Sequence, residues 1–194
     1  MSGVPTRLQN NFSMMRHGQS RPNVDGVIIC APDDGIDPIN GLTELGRRQA
    51  HDSATAWAAT TDRTPVIISS DFSRATETAD ELRRVTGAGP VRIDIRLRER
   101  DFGPFHGGPV SAYDQVWAAD AAGRTLPDVE SVDSVLHRTS TLITELDSEH
   151  QDQELILVCH GDTAQITVAA FAGLRPAQHR ELPGLTNAEI RALS

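Results

Sequence analysis

The sequence predicts an α/β sandwich built on a largely parallel sheet. Two observations carry this expectation. Apolar, β-branched runs at residues 66–70 and 155–159 are each followed within a few residues by a helical stretch, Ser73–Thr86 and residues 163–172. Strands and helices go on alternating from residue 11 onward, and the chain's 194 residues fit one domain spanning 1–194. With 38% hydrophobic and 23% charged residues, such a chain can bury a core without disulfide or metal staples.

Each element has its own signal. Residues 11–15 read as a short strand leading into Arg16-His17-Gly18. Residues 25–40, rich in Gly, Pro and Asp, read as a long loop. Residues 42–60 are helical, with Thr43 as N-cap and Leu42, Leu45 and Ala50 toward one side. Pro65 opens the strand at 66–70, and Gly87 and Gly89 stop the helix that follows. Residues 91–97 alternate Val91, Ile93, Ile95 and Leu97 with polar neighbours, a strand period. Residues 103–128 are irregular, with one helix around 113–122. A long helix at 132–150 carries Val132, Val135, Leu142, Ile143 and Leu146. The strand at 155–159 ends in His160-Gly161, Asp162 is placed to cap the next helix, and 188–193 form a last short strand.

Composition excludes several function classes. The 18 cationic residues are all arginine, against 27 Asp plus Glu, for a net charge of −9. Such an acidic chain is a poor ligand for nucleic acid or anionic membranes. No apolar run approaches a membrane span, and the first ten residues lack a signal core, so a cytoplasmic protein is expected. Cys30 and Cys159 stand far apart, and no histidines or carboxylates cluster at ligand spacing, so neither a metal nor another cofactor is expected.

In parallel sheets, ligands bind beyond the carboxyl ends of the strands. Polar groups fall at those ends here: Arg16, His17 and Gly18; Ser70 and Arg74; Glu99; His160 and Gly161. Two arginines, two histidines and a glutamate suit phosphoryl transfer. The arginines neutralise equatorial oxygens, a histidine attacks phosphorus, and a carboxylic acid protonates the leaving oxygen. Arg16 and Arg74 would hold His17 neutral, although its tautomer-setting partner is not visible in the sequence. Gly18 and Gly161 would let backbone approach a phosphate closely. Ser70 reads as orienting the Arg74 turn, His106 as an exposed loop histidine, and His51, His137, His150 and His179 as helix-surface residues.

The blocks RHGQSRPN (16–23), LTELGRRQA (42–50), SSDFSRATETA (69–79), LRERDFG (97–103) and CHG (159–161) resemble, in order and placement, the histidine phosphatase or phosphoglycerate mutase-like superfamily. The resemblance runs from about residue 11 to the end. It implies a three-layer α/β/α sandwich, His17 as the nucleophile forming phosphohistidine, and Glu99 as the proton donor. It also implies a phosphate pocket of Arg16, Arg74 and His160, with Asn23 as a further contact.

Within that superfamily, the phosphatase branch is favoured. Sugar-acid mutases carry several basic residues after the glutamate block. Here residues 104–130, a small cap-like insertion, hold only Arg124 and His106 as cations, beside Asp114, Asp120, Asp128 and Glu130. The expectation is therefore a phosphatase for a phosphate monoester of a small metabolite, with a neutral or partly apolar leaving group, offered by Phe105, Tyr113 and Trp117. Mutase-type transfer and a non-catalytic phospho-ligand module are the alternatives, and a homodimer stays open. A kinase-type reading of Asp101-Phe102-Gly103 fails, because no glycine-rich loop accompanies it.

Overall fold

A computed structural model describes residues 7–193. Its strands are β1 (Asn11–Arg16), β2 (Val66–Ser69), β3 (Arg92–Ile93), β4 (Glu154–Cys159) and β5 (Ile190–Ala192). Its helices are α1 (Arg21–Asp25), α2 (Pro32–Ile36), α3 (Glu44–Ala58), α4 (Ser73–Thr86), α5 (Tyr113–Ala121), α6 (Val132–Glu149) and α7 (Gly161–Phe171). The strands form one sheet in the order β3-β2-β4-β1-β5. All neighbours are parallel except β5, which runs antiparallel to β1.

Side-chain alternation along the strands divides the core in two. Phe12, Met14, Ile68, Leu155, Leu157 and Cys159 meet Leu142, Ile143 and Leu146 of α6 and Ala164 and Val168 of α7. Met15, Ile67, Ile156 and Val158 meet Ala54 of α3 and Ala75, Ala79 and Leu82 of α4. The result is the three-layer sandwich. A smaller apolar cluster, Ile28, Cys30, Phe102, Val116 and Val129, lies under the 25–31 segment and α5.

Helix α3 begins where expected: the Thr43 hydroxyl accepts the Gly46 N–H at 3.0 Å. Its buried stripe is Gly46, Ala50 and Ala54, at i+4 spacing. Leu45 is off that stripe and exposed. Small residues on this face let the helix approach the segment after β1 closely. A Cβ on Gly18 would stand 2.4 Å from the Gly46 carbonyl oxygen.

Three sequence expectations need correction. The alternation at 91–97 yields only the two-residue β3, followed by a 3₁₀ turn at Ile95–Leu97. This is the sheet edge, where Ile93 and Ile95 are exposed and only Leu97 is buried. The Asp94 carboxylate accepts the Arg96 N–H and turns the chain out of the strand. The loop at 25–40 contains α2 and a 3₁₀ turn at Pro38–Asn40. Pro32 and Pro38 each open a helical turn, the position where a missing N–H costs nothing. Asp162 does not cap α7: the helix starts at Gly161, with His160 in the cap position.

Register places the site. Arg16 lies opposite Cys159, and Ser69 opposite Val158, so β1, β4 and β2 end level with one another. His17, His160 and Ser70, the residues that follow, leave the sheet side by side.

Candidate active site

A pocket of about 440 Å³ opens beyond these strand ends, and Arg16, His17, Arg74, Glu99 and Gly161 line it. His17 is 3% exposed. Its Nδ1 lies 2.7 Å from the Gly18 carbonyl oxygen, which fixes the proton on Nδ1. Nε2 therefore carries the lone pair, and Arg74 Nε donates to it at 3.2 Å. Burial, followed by the charges of Arg74 and Arg16, holds His17 well below the ordinary imidazole pKa. Gly18 is thus the tautomer-setting partner that the sequence left unidentified.

Gly18 is not placed as a phosphate contact. Its N–H goes to the Thr78 hydroxyl at 3.1 Å and its carbonyl to His17. The close approach that its missing side chain permits is to α3.

Arg74 is buried and donates through Nη2 to the Ile29 carbonyl at 2.9 Å. Burial lowers its pKa to about 10, so it stays cationic at neutral pH. Arg16 is held by Nη1 donating to the Leu185 carbonyl at 2.7 Å. His160 is fully buried, with its ring 5.2 Å from that of His17. Ser70 Oγ stands 2.9 Å from His160 Nε2 and accepts the Phe72 N–H. Ser70 therefore steadies both the turn into α4 and the second histidine. Arg16 Nε, Arg74 Nη1 and His160 Nδ1 are buried without a partner among the described residues. Buried donors are nearly always satisfied. With the Ser70 hydroxyl donating to Nε2, the His160 proton sits on Nδ1, and three unpartnered donors around one imidazole are then suited to the oxygens of a tetrahedral anion.

Glu99 Oε1 accepts from the Arg100 and Thr163 N–H groups, at 2.8 and 3.2 Å. Its Oε2 lies toward Gly161 and Arg16. Burial, then the Asp162 charge, raises its pKa above the usual carboxylate value. Arg138 fixes the backbone that carries Glu99 by donating to the Arg98 carbonyl at 2.9 Å. Asn23 is exposed at the pocket edge, and its Oδ1 accepts the Ser20 N–H at 3.1 Å.

Several contributors carry no sequence signal. Arg100 is fully buried and pairs with both oxygens of Asp120, at 2.6 and 2.9 Å, and with Asp162 at 3.4 Å. Asp162 also accepts the Trp117 indole N–H at 3.0 Å. Arg180, from the 3₁₀ turn Pro176–Glu181, lines the pocket as well.

Two histidines differ from expectation. His179 is fully buried, and burial lowers its pKa to about 4. The turn at 176–181 packs on α7 rather than standing in solvent, which removes the ring from water. His106 is half-buried: its Nδ1 accepts from the Cys30 and Ala31 N–H groups at 3.2 Å, and its Nε2 meets Asp34 at 2.7 Å. It pins the 28–34 segment over the pocket wall.

A deep cradle of arginines and histidines at parallel strand ends, with a protonatable carboxyl beside it, defines an enzyme that acts on phosphate esters. Comparison with known proteins agrees. Residues 12–194 match the histidine phosphatase superfamily (branch 1). The glucosyl-3-phosphoglycerate phosphatase of Mycobacterium tuberculosis is 32% identical over 197 residues, covering 93% of this chain and 83% of that protein. The enzyme of the same name from Mycolicibacterium vanbaalenii is also 32% identical, covering 90% and 80%. The solved structure of mycobacterial glucosyl-3-phosphoglycerate phosphatase in complex with VO3 aligns with a TM-score of 0.79 at 32% identity. That alignment covers 95% of this chain and 90% of that one. This chain belongs to the histidine phosphatase superfamily, and it is a phosphoric monoester hydrolase of that class, acting on a small phosphorylated metabolite. Among the described residues, no helix is long and apolar enough to cross a membrane.

Proposed function

We propose that the protein hydrolyses its substrate through a phosphohistidine at His17 Nε2. The observation that carries this reading is the fixed tautomer: Nδ1 is committed to Gly18, so the free lone pair is on Nε2, beside Arg74 and in the pocket. An incoming phosphoryl group draws the Arg74 guanidinium onto its own oxygens and releases that lone pair. His17 Nε2 then attacks phosphorus while the P–O bond to the leaving group breaks. Glu99, protonated, passes its proton to the departing oxygen. Arg16 Nε, Arg74 Nη1 and His160 Nδ1 supply the hydrogen bonds that strengthen as charge builds on the equatorial oxygens. In the second half, Glu99 as carboxylate takes a proton from water. The resulting hydroxide attacks phosphorus, and His17 Nε2 leaves with the P–N electron pair.

Asn23 supports the pocket edge as a further phosphate contact, and residues 104–130 act as the cap through Tyr113 and Trp117. The cations that the cradle itself provides are the basis for a metal-independent reaction. A cytoplasmic setting belongs to the same reading: the thiols of Cys30 and Cys159 are free and buried.

Acid-labile, base-stable phosphate should be trapped on the protein when turnover of an aryl phosphate is quenched in base with excess chelator present. His17→Ala should abolish both the trapped label and turnover, the latter by several orders of magnitude. Label retained in His17→Ala, or turnover that returns only with a divalent ion, contradicts the mechanism.

A further inference from the structure

The residues at 104–130 bring no cation to the pocket wall, yet the pocket has a third arginine besides Arg16 and Arg74. Arg180 reaches it from the turn at 176–181. Its guanidinium carbon lies over the Trp117 ring, 3.8 Å from the centroid. Trp117 is itself fixed, its N–H donating to Asp162 and its ring stacked on Tyr113 at 5.2 Å. Arg180 Nη1 donates to Gln165 Oε1. Gln165 is buried, and both Gln165 Nε2 protons go to backbone carbonyls, those of His179 and Leu182, at 2.8 Å each. The Gln165 oxygen therefore has only one way to face, and it holds the Arg180 head from the side while Trp117 holds it from below.

A guanidinium positioned in this way keeps most of its five donors for something else. No carboxylate among the described residues pairs with it, whereas Arg98, Arg100 and Arg138, just outside the pocket, are all ion-paired. The nearest pocket carboxylate, Asp162, is already committed to Arg100 and Trp117. Arg180 stands at the exposed rim while Arg74 is buried, so the part of the substrate that extends outward from the phosphoryl group meets it.

On this basis, and resting on the phosphatase reading above, we infer that Arg180 on its Trp117 platform binds a carboxylate of the leaving group, and that the substrates are phosphate esters of hydroxy acids. A carboxylate fits better than a second phosphoryl group. It is planar, monoanionic and matched to one guanidinium edge, whereas the phosphoryl cradle uses two arginines and a histidine. The proposal puts an acidic leaving group in place of the neutral or partly apolar one expected from residues 104–130, because its recognising cation comes from elsewhere in the chain.

The test compares 3-phosphoglycerate with glycerol 3-phosphate, which differ by a carboxylate against a hydroxymethyl group. The wild-type kcat/KM should favour 3-phosphoglycerate by about tenfold or more, the scale of one charge-assisted contact. Arg180→Gln should bring that ratio close to one, chiefly through KM, and Arg180→Lys should restore part of it. Calorimetric binding of both compounds to His17→Ala, with and without Arg180→Gln, reads the subsite without turnover and should show the same ratios. A wild-type ratio near one, a ratio unchanged in Arg180→Gln, or a tenfold preference for a sugar bisphosphate over both compounds overturns the proposal. If p-nitrophenyl phosphate is hydrolysed while the carboxylate gains nothing, the subsite fails and the phosphatase mechanism stands. If no ester is hydrolysed yet calorimetry shows the preference, the reverse holds.

Discussion

The two ends of the pocket are built by different means. The deep end hangs on the sheet: His17 and His160 follow directly on β1 and β4, whose register is set by a continuous parallel ladder. A slip of one residue would send every side chain of a strand to the opposite face, so this geometry is tightly specified. The rim is built from side chains that meet across long gaps in sequence. Trp117 reaches Asp162, 45 residues on, and Arg180 stands on Trp117. His17 and His160 are thus fixed by backbone pairing, whereas Trp117 and Arg180 are fixed by packing, on connections that can change without disturbing the sheet.

Substitutions at the two ends should therefore behave differently. The largest effect among the groups around His17 is expected at Arg74. Arg74→Ala should lower kcat/KM about a thousandfold, and by a similar factor for every leaving group, because the role proposed for Arg74 is at the transferring phosphoryl oxygens. A loss that varies strongly with the alcohol would place Arg74 at the wrong end. Glu99 is intermediate. Glu99→Gln should slow an alkyl phosphate about a hundredfold or more while slowing p-nitrophenyl phosphate less than about tenfold, since nitrophenolate hardly needs a proton. Steady-state kcat/KM on the two esters decides this, and equal losses would remove Glu99 as the acid.

The last effect concerns the turn that carries Arg180 and appears in stability, with no change of rate expected. His179 is neutral in the folded protein down to about pH 4, against the ordinary 6.5 in the unfolded chain. Below pH 6.5 the unfolded state binds the extra proton, so stability is lost as the pH falls toward 4. The loss is about 3 kcal/mol by linkage. His17 and His160, also lowered, act in the same direction, while Glu99 and Asp162, raised, act against it. The difference between wild type and His179→Gln cancels those shared contributions. Denaturant unfolding at pH 7, 5.5 and 4 should show that difference changing by about 3 kcal/mol. Parallel pH profiles would mean that His179 is solvated.

The same division explains what the sequence disclosed. The runs that became β2 and β4 are short, apolar and bounded, and the residues after β1 and β4 are contiguous blocks, so the deep end was legible. The helical turns at 32–40 were not, because Pro and Gly signal a change of direction without saying whether a helical turn follows. The alternation at 91–97 misled, because an edge strand needs no burial on both faces and Asp94 ends it early. Arg100 sat in a charged stretch that looks solvated. Its burial depends on Asp120 and Asp162, at distances of 20 and 62 residues along the chain, and no local pattern encodes that. Arg180 and His179 were invisible for the same reason.

The way β5 returns to β1 has a consequence in time. Arg16 is held by the Leu185 carbonyl, 169 residues away, and the His17 carbonyl receives the N–H of Ala188 and the side chain of Asn187. Contacts of such separation form only after the largest loop in the chain has closed, and they slow folding. A ribosome-bound chain that has already made β1, β2 and β4 still has an unsupported Arg16. Activity should therefore emerge last during folding. It should also vanish first if the three-residue β5 frays, before the layers on either side of the sheet have loosened at all.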